Sequence, residues 1–122
     1  MINILCVGIG GFIGAIIRYI VSLYTSKIFL SKLPIGTLIV NVLGGFLIGI
    51  IMEINVKTDL ISRNMKLFLA TGIMGGLTTF STFSYETIIL IEGGSFIFAI
   101  INMTLNLLLS LGGVYIGKFI IK

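Results

Sequence analysis

The chain is 122 residues long, 57% hydrophobic and only 10% charged, with a formal net charge of +4 and no histidine. An ordinary soluble domain carries about 25% charged residues, and one of this size cannot hide so much apolar surface from water. The composition therefore excludes a soluble domain and predicts an integral membrane protein. The missing histidine also removes the commonest metal ligand and acid–base group.

Four apolar stretches predict four transmembrane helices, at about residues 3–24, 34–54, 66–90 and 95–120. Each supplies the roughly 20 residues that cross a bilayer core of about 30 Å. The first stretch has no Lys or Arg before its apolar core, so we interpret it as a span and not as a cleaved signal. Because the connectors are short, residues 1–122 are predicted to form one integral membrane domain with both termini on one side.

The positive charges show only a weak preference for one face of the membrane. The face with the termini collects five of the eight Lys and Arg residues, namely Lys57, Arg63, Lys66, Lys118 and Lys122. The opposite face has the other three, Arg18, Lys27 and Lys32. Because the bias of Lys and Arg normally decides orientation, this small difference allows insertion in both orientations.

Every predicted span contains two glycines four residues apart: Gly10 and Gly14, Gly45 and Gly49, Gly72 and Gly76, and Gly113 and Gly117. Small residues at this spacing let helix backbones approach closely in lipid. The pairs therefore predict the faces on which the helices pack, and they indicate nothing about a substrate.

The third span contains the segment GGLTTFSTFS (75–84), which combines glycines, five hydroxyl groups and two phenylalanines. Its glycines make a poor continuous helix, so we predict a break between Gly72 and Thr79. Carbonyl groups freed at membrane depth must be satisfied by protein, water or an ion, and broken helices recur at ion sites. The alternative is a kink whose carbonyls are capped by the hydroxyls of Thr78 and Thr79.

Phe80 and Phe83 are three residues apart and share one face of the predicted helix beyond the break. Spacing alone is typical of packing residues. The neighbouring hydroxyls of Ser81 and Thr82 favour a second interpretation, because the edge of an aromatic ring carries partial positive charge. An edge-on phenylalanine beside hydroxyl donors can face a small anion.

The second and fourth spans also carry polar side chains on single faces. Thr37 and Asn41 are four residues apart, as are Asn102, Asn106 and Ser110 in succession. An asparagine at membrane depth needs a partner. Asn41 is expected either to bond across to another helix or to present its NH₂ group as a neutral donor to an anion.

Arg18 is the one charged residue of the first predicted span, and Glu86 lies within the third. Arg18 either occupies a functional position or extends to the membrane interface. Glu86 is expected to pair with another group or to face a vestibule. No paired carboxylates, nucleophile with its base, or phosphate-binding loop occurs, so no enzymatic activity is predicted.

Three ordered motifs carry a resemblance to a known family. They are GxxGAxxRY (11–19), GTLxVNxxG (36–44) and GxxGGLTTFSTFS (72–84). Together they resemble the Fluc fluoride channels, also called the CrcB family. The resemblance covers the whole chain in length, number of spans, broken third helix and motif order.

The resemblance implies an all-α membrane protein whose four-helix chains form an antiparallel, dual-topology homodimer in the lipid bilayer. It implies passive export of fluoride from the cytoplasm across the cell membrane, which protects against fluoride toxicity, and no nucleic-acid partner. It also implies a central structural Na⁺, not transported, held by the backbone carbonyls of Gly75 and Thr78.

The resemblance further places pore residues on this sequence. Asn41, Phe80 and Phe83 match the family's pore asparagine and phenylalanines, Arg18 its vestibule arginine, and Ser110 its polar track. Thr37, Ser81 and Thr82 join them as pore candidates because they are hydroxyls beside these positions.

Two other classes of protein compete with this interpretation. A small four-helix, dual-topology drug or cation exporter has a similar length, but it needs a carboxylate in the first span, and residues 3–24 contain none. A non-conducting membrane assembly subunit explains the glycine pairs but not the three polar motifs.

Overall fold

The protein is entirely helical in a computed structural model that describes residues 1–122. Its elements are α1 (Ile2–Ile28), α2 (Ile35–Lys57), α3 (Arg63–Lys66), a π-helix (Leu67–Met74), α4 (Gly75–Leu77), α5 (Phe80–Glu92) and α6 (Phe96–Ile120). Four segments are long and apolar enough to cross a membrane, and the third of them, Arg63–Glu92, runs from α3 to α5. The predicted all-α architecture with four spans is therefore confirmed.

The helices extend a few residues beyond the apolar stretches. α1 ends at Ile28, and the third span begins at Arg63. The Thr25 hydroxyl donates to the Val21 carbonyl oxygen at 2.7 Å, within its own helix. The Ser62 hydroxyl accepts from the backbone N–H of Met65 at 3.2 Å and so caps the start of α3. Polar residues continue these helices because their side chains bond to backbone groups of the same turn.

The predicted glycine pairs lie where helices meet backbone to backbone. Gly10 and Gly14 of α1 face the first half of the third span, where Gly72 and Gly76 lie, and we call this contact the α1 seam. Gly45 and Gly49 of α2 face Gly113 and Gly117 of α6 across a second contact, the α2–α6 seam. A Cβ atom on Gly14 would lie 2.8 Å from the backbone nitrogen of Leu77, and one on Gly45 would lie 2.7 Å from the Ser110 carbonyl oxygen. Only glycine fits at such contacts.

The break in the third span lies at Thr78 and Thr79. Both residues are extended, with φ and ψ of −83° and 155° at Thr78 and of −152° and 118° at Thr79. The chain stays helical through the glycines that were predicted to break it, because Gly72 and Gly76 contact the backbone of α1. The break therefore falls at the C-terminal end of the predicted interval, and the π-helix before it was not predicted.

The interior holds few large apolar side chains. Val40, Met74 and Leu77 form its hydrophobic cluster. The buried polar residues are Thr37, Glu53, Thr79, Thr87, Asn102 and Asn106. Most Ile, Leu and Phe side chains instead point outward, as expected where the surrounding solvent is lipid. Polar contacts and the close glycine contacts therefore hold the helices together to a large extent.

An ion-pair cluster joins α2 and α6 at the end that carries both termini. Glu53 is 8% exposed and lies 3.6 Å from the Lys57 Nζ atom and 3.5 Å from the Lys118 Nζ atom. Lys57 also donates to the Ile121 carbonyl oxygen at 3.4 Å. One carboxylate thus partners two of the five positive side chains on this face.

The seams make a direct prediction about stability. Gly14→Val should lower the free energy of unfolding by about 1–3 kcal/mol, because the new side chain collides with the third-span backbone. Gly8→Val in the same helix is the control, since an added Cβ atom there meets nothing within 4 Å. Thermal unfolding of the purified protein in detergent measures both variants. Equal stability of the two would contradict close packing at the α1 seam.

Candidate functional site: the groove at the break in the third span

The start of α5 is held by Thr79, the second extended residue of the break. Its hydroxyl accepts from the backbone N–H of Thr82 at 3.1 Å, which satisfies one of the free N–H groups at the helix start. The same hydroxyl donates to the Thr82 hydroxyl at 3.1 Å and lies 3.4 Å from the Ser81 hydroxyl. The break is therefore stabilised by its own capping hydrogen bonds.

Asn41 of α2 binds the backbone of the break from the side. Its Oδ1 atom accepts from the Thr79 N–H at 2.8 Å, and its Nδ2 atom donates to the Thr79 carbonyl oxygen at 3.2 Å. The second Nδ2 hydrogen goes to Asn106 Oδ1 at 2.9 Å. Both amide donors are thus engaged inside the chain. Of the two expectations for Asn41, the bond across to other helices describes this structure, and a free NH₂ donor does not.

The hydrogen bonds continue from Asn41 through the interior to α5. Asn106 Nδ2 donates to both the Oδ1 atom and the carbonyl oxygen of Asn102 at 3.0 Å. Asn102 Nδ2 donates to the Thr87 hydroxyl at 3.0 Å, which donates to the Phe83 carbonyl oxygen at 2.8 Å. We call Asn41, Asn106, Asn102 and Thr87 the polar relay. The stripe predicted on the fourth span is thus divided, because its two asparagines are buried in the relay.

An open groove of about 660 Å³ lies beside the break. Phe80 and Phe83 both line it, in agreement with the prediction that they share one helix face. Their ring centroids are 5.5 Å apart, and the ring planes are tilted by 55°. Phe80 is 80% exposed. Gly75, Thr78, Asn41 and Ser110 also line the groove, together with apolar residues of α2 and α6. The groove therefore brings together six of the predicted site residues.

Ser110 and Thr78 contribute polar atoms that the chain leaves unpaired. The Ser110 Oγ atom is buried and has no hydrogen-bond partner. The Thr78 hydroxyl caps the Met74 carbonyl oxygen at 2.8 Å, but the Thr78 carbonyl oxygen accepts no hydrogen bond. Hydroxyl capping therefore occurs at the break, and it leaves the Thr78 carbonyl without a partner.

Two of the remaining predicted residues, Thr37 and Arg18, lie toward the membrane face opposite the termini. Thr37 donates to Glu86 Oε1 at 2.9 Å, and both line a polar cavity of about 240 Å³. Glu86 therefore pairs with another group, which is one of its two expectations, and it also lines this cavity. The other lining side chains include the hydroxyls of Ser22, Thr25, Ser26 and Ser31 and the amine of Lys32. Arg18 lies one turn before Ser22 in α1, is half-buried, and forms no ion pair. The other two, Ser81 and Thr82, lie at the break, where their hydroxyls contact the Thr79 hydroxyl.

Sequence reasoning missed the role of Thr87. It lies outside the three motifs, and its partners come from α6 and from its own helix. Its signal is its position four residues after Phe83, where a threonine hydroxyl reaches back to the phenylalanine carbonyl.

The fold and the groove define a multi-pass membrane protein of four spans, with a polar and aromatic site at an interrupted third span. The chain belongs to the CrcB family, because the family model described as CrcB-like protein, Camphor Resistance (CrcB), matches residues 5–118.

Curated relatives match over nearly their whole length. A protein of Clostridium novyi (strain NT) is 58% identical over 118 residues, which cover 97% of this chain and 92% of the relative. One of Clostridium perfringens (strain 13 / Type A) is 57% identical over 93% of this chain and 89% of the relative. One of Ruminiclostridium cellulolyticum is 46% identical over 100% of this chain and 94% of the relative. Each of the three is named "Fluoride-specific ion channel FluC". With its four spans, the chain is a multi-pass protein of the cell membrane.

Proposed function

We propose that this chain forms a fluoride-selective channel that lets F⁻ leave the cytoplasm passively and so protects the cell from fluoride. The observation that carries the proposal is the groove, where two phenylalanine rings in contact and an unpaired buried hydroxyl adjoin a break in a membrane span. The names of the relatives agree with it, since each is described as a fluoride-specific channel.

The chemistry of the groove suits a small, strongly hydrated anion. A pore must replace the water around such an ion with donors and still hold it weakly enough to release it. Ser110 offers a buried hydroxyl that has no hydrogen-bond partner within the chain. The ring edges of Phe80 and Phe83 add partial positive charge. No Lys or Arg lines the groove, so no fixed charge traps the ion.

We propose that two chains assemble as an antiparallel homodimer. The groove is open along one side, and Phe80 and Gly75 are exposed there, so a single chain leaves the pathway uncovered. The weak charge bias between the two faces supports insertion in both orientations.

We propose that the carbonyl oxygens of Gly75 and Thr78 hold a structural Na⁺ between the two copies. The residues fit this ion, because the Thr78 carbonyl is unpaired and Gly75 lies on the exposed side of the break. Hard cations prefer oxygen ligands. The absence of a carboxylate from the groove favours a monovalent ion over Ca²⁺ or Mg²⁺. When bound, the ion supplies positive charge that satisfies carbonyls freed by the break.

Fluoride selectivity is the first test. Proteoliposomes that contain the purified protein should release F⁻ rapidly and retain Cl⁻, because hydroxyl donors and ring edges approach the smaller ion more closely and so replace its water more completely. Ion-selective electrodes measure both fluxes in the same preparation, and protein-free liposomes are the control. Equal release of the two anions would rule out the proposed selectivity.

The phenylalanines give a second test. Phe80→Ile or Phe83→Ile should lower F⁻ flux by about five- to tenfold, the factor that corresponds to ~1 kcal/mol, because the site stays apolar but loses its ring edge. Dimers should persist in both variants by chemical cross-linking. Side chains that serve only packing would give the reverse result, with fewer dimers and normal flux per dimer.

Dual topology gives a third test. A Lys57→Cys variant in a Cys6→Ser background should react with an impermeant thiol reagent in about half of the molecules, because each orientation exposes residue 57 on a different face. Lys32→Cys in the same background is the matched control for the opposite face and should give a similar fraction. Labelling of one variant only would contradict the antiparallel arrangement.

The Na⁺ site gives a fourth test. Gly75→Leu should abolish F⁻ flux but leave the fold of the chain intact, because an added Cβ atom there contacts nothing in the chain. Thr78→Ser should retain flux, since the ligand is a backbone oxygen. An experimental structure of the dimer should contain density on the two-fold axis with four oxygens at Na⁺-like distances. An axis that holds only protein atoms would refute the site.

A further inference from the structure

The polar relay ties the interior of the bundle to the two backbone points that flank Phe80. At one end Asn41 holds the N–H and carbonyl of Thr79, and at the other end Thr87 holds the Phe83 carbonyl. The two points are four residues apart and enclose the first turn of α5. The relay therefore contacts the backbone of the turn that carries the aromatic side of the groove.

Asn102 is the member of the relay on which this link depends. Its side chain is 1% exposed, its Nδ2 atom donates to Thr87, and its Oδ1 atom accepts from Asn106. The bond from Asn102 to Thr87 is the one side-chain hydrogen bond between α6 and α5. Without it, the relay reaches the first turn of α5 only at Thr79 and no longer binds the helix beyond Phe83.

We propose that Asn102 is a positioning residue for conduction, which acts through Thr87 to set the height and rotation of α5 and hence of the Phe80–Phe83 pair. The inference rests on the proposed function, in which the phenylalanines line the ion pathway. Asn102 itself does not line the groove, so it has no contact with the ion.

The burial of the relay explains why it can position the turn so firmly. Asn102, Asn106 and Thr87 are each at most 5% exposed, so water does not compete for their donors and acceptors. An unpaired polar group in such a place is costly, and each alternative rotation of α5 would leave at least one of these groups unpaired. The relay therefore favours one placement of the phenylalanines over neighbouring ones.

Thr87→Val is the principal test, because valine has the shape of threonine but no hydroxyl. This change should lower F⁻ flux about tenfold, since it leaves the Asn102 amide unpaired and α5 free to shift. Thr87→Ser restores the hydroxyl and should recover most of the flux. Thr58→Val is the matched control, because Thr58 makes the same kind of bond to the carbonyl four residues back, at the exposed end of α2.

A double-mutant cycle separates the relay from general loss of packing. Asn102→Leu and Thr87→Val should each reduce flux, and the double variant should be little worse than either one, because both remove the same bond. Multiplied effects in the double variant would overturn the proposal, as would Thr87→Val flux equal to that of Thr58→Val.

Hydrogen exchange followed by mass spectrometry supplies a readout that does not need conduction. Thr87→Val and Asn102→Leu should speed exchange of the amides in residues 79–84 and leave the α2–α6 seam protected. Should the wild-type protein pass no fluoride, the proposed function fails and this exchange still tests the positioning. Unchanged exchange at residues 79–84 in both variants would overturn the positioning itself.

Discussion

The structure depends on one constraint: a backbone that leaves the helical hydrogen-bond pattern inside a membrane must find other partners within the protein. Thr79 satisfies it. Its N–H and its carbonyl both bind the Asn41 amide, which supplies one acceptor and one donor in a single planar group. Because that amide is anchored in turn to Asn106, the interrupted span is fastened to two other helices at the point where it would otherwise be weakest.

The same constraint draws attention to the polar atoms beside the break that have no partner within the chain. Most polar groups near the break are hydrogen-bonded within the protein, and two are not. Ser110 keeps a free hydroxyl and Thr78 a free carbonyl, and both line the groove. An unpaired hydroxyl and an unpaired carbonyl therefore lie along one groove, and in the antiparallel dimer that we propose the partner copy would cover both.

Features that depend on local pattern were predicted well, and features that depend on a distant partner were not. The length of the apolar stretches predicted the four spans, and the glycine spacing predicted both seams. Both patterns can be recognised within consecutive turns of a single helix. The choice between the two expectations for Asn41 required knowledge of what lies opposite it. Thr87 was overlooked for the same reason, and the π-helix before the break has no compositional signal. The glycines of the third span were misread as its breaking point because their close neighbour, α1, lies about 60 residues earlier in the chain.

The two glycine seams also affect the entropy of folding. A buried leucine or methionine loses rotamer freedom when helices associate, whereas glycine has no side-chain rotamers to lose. At the seams, Gly10, Gly14, Gly45 and Gly49 place backbone directly against backbone. The helices of this chain therefore come together with little side-chain ordering at their closest contacts. Attraction there comes from dispersion between tightly apposed main chains, which does not require the exclusion of water that drives association in soluble proteins.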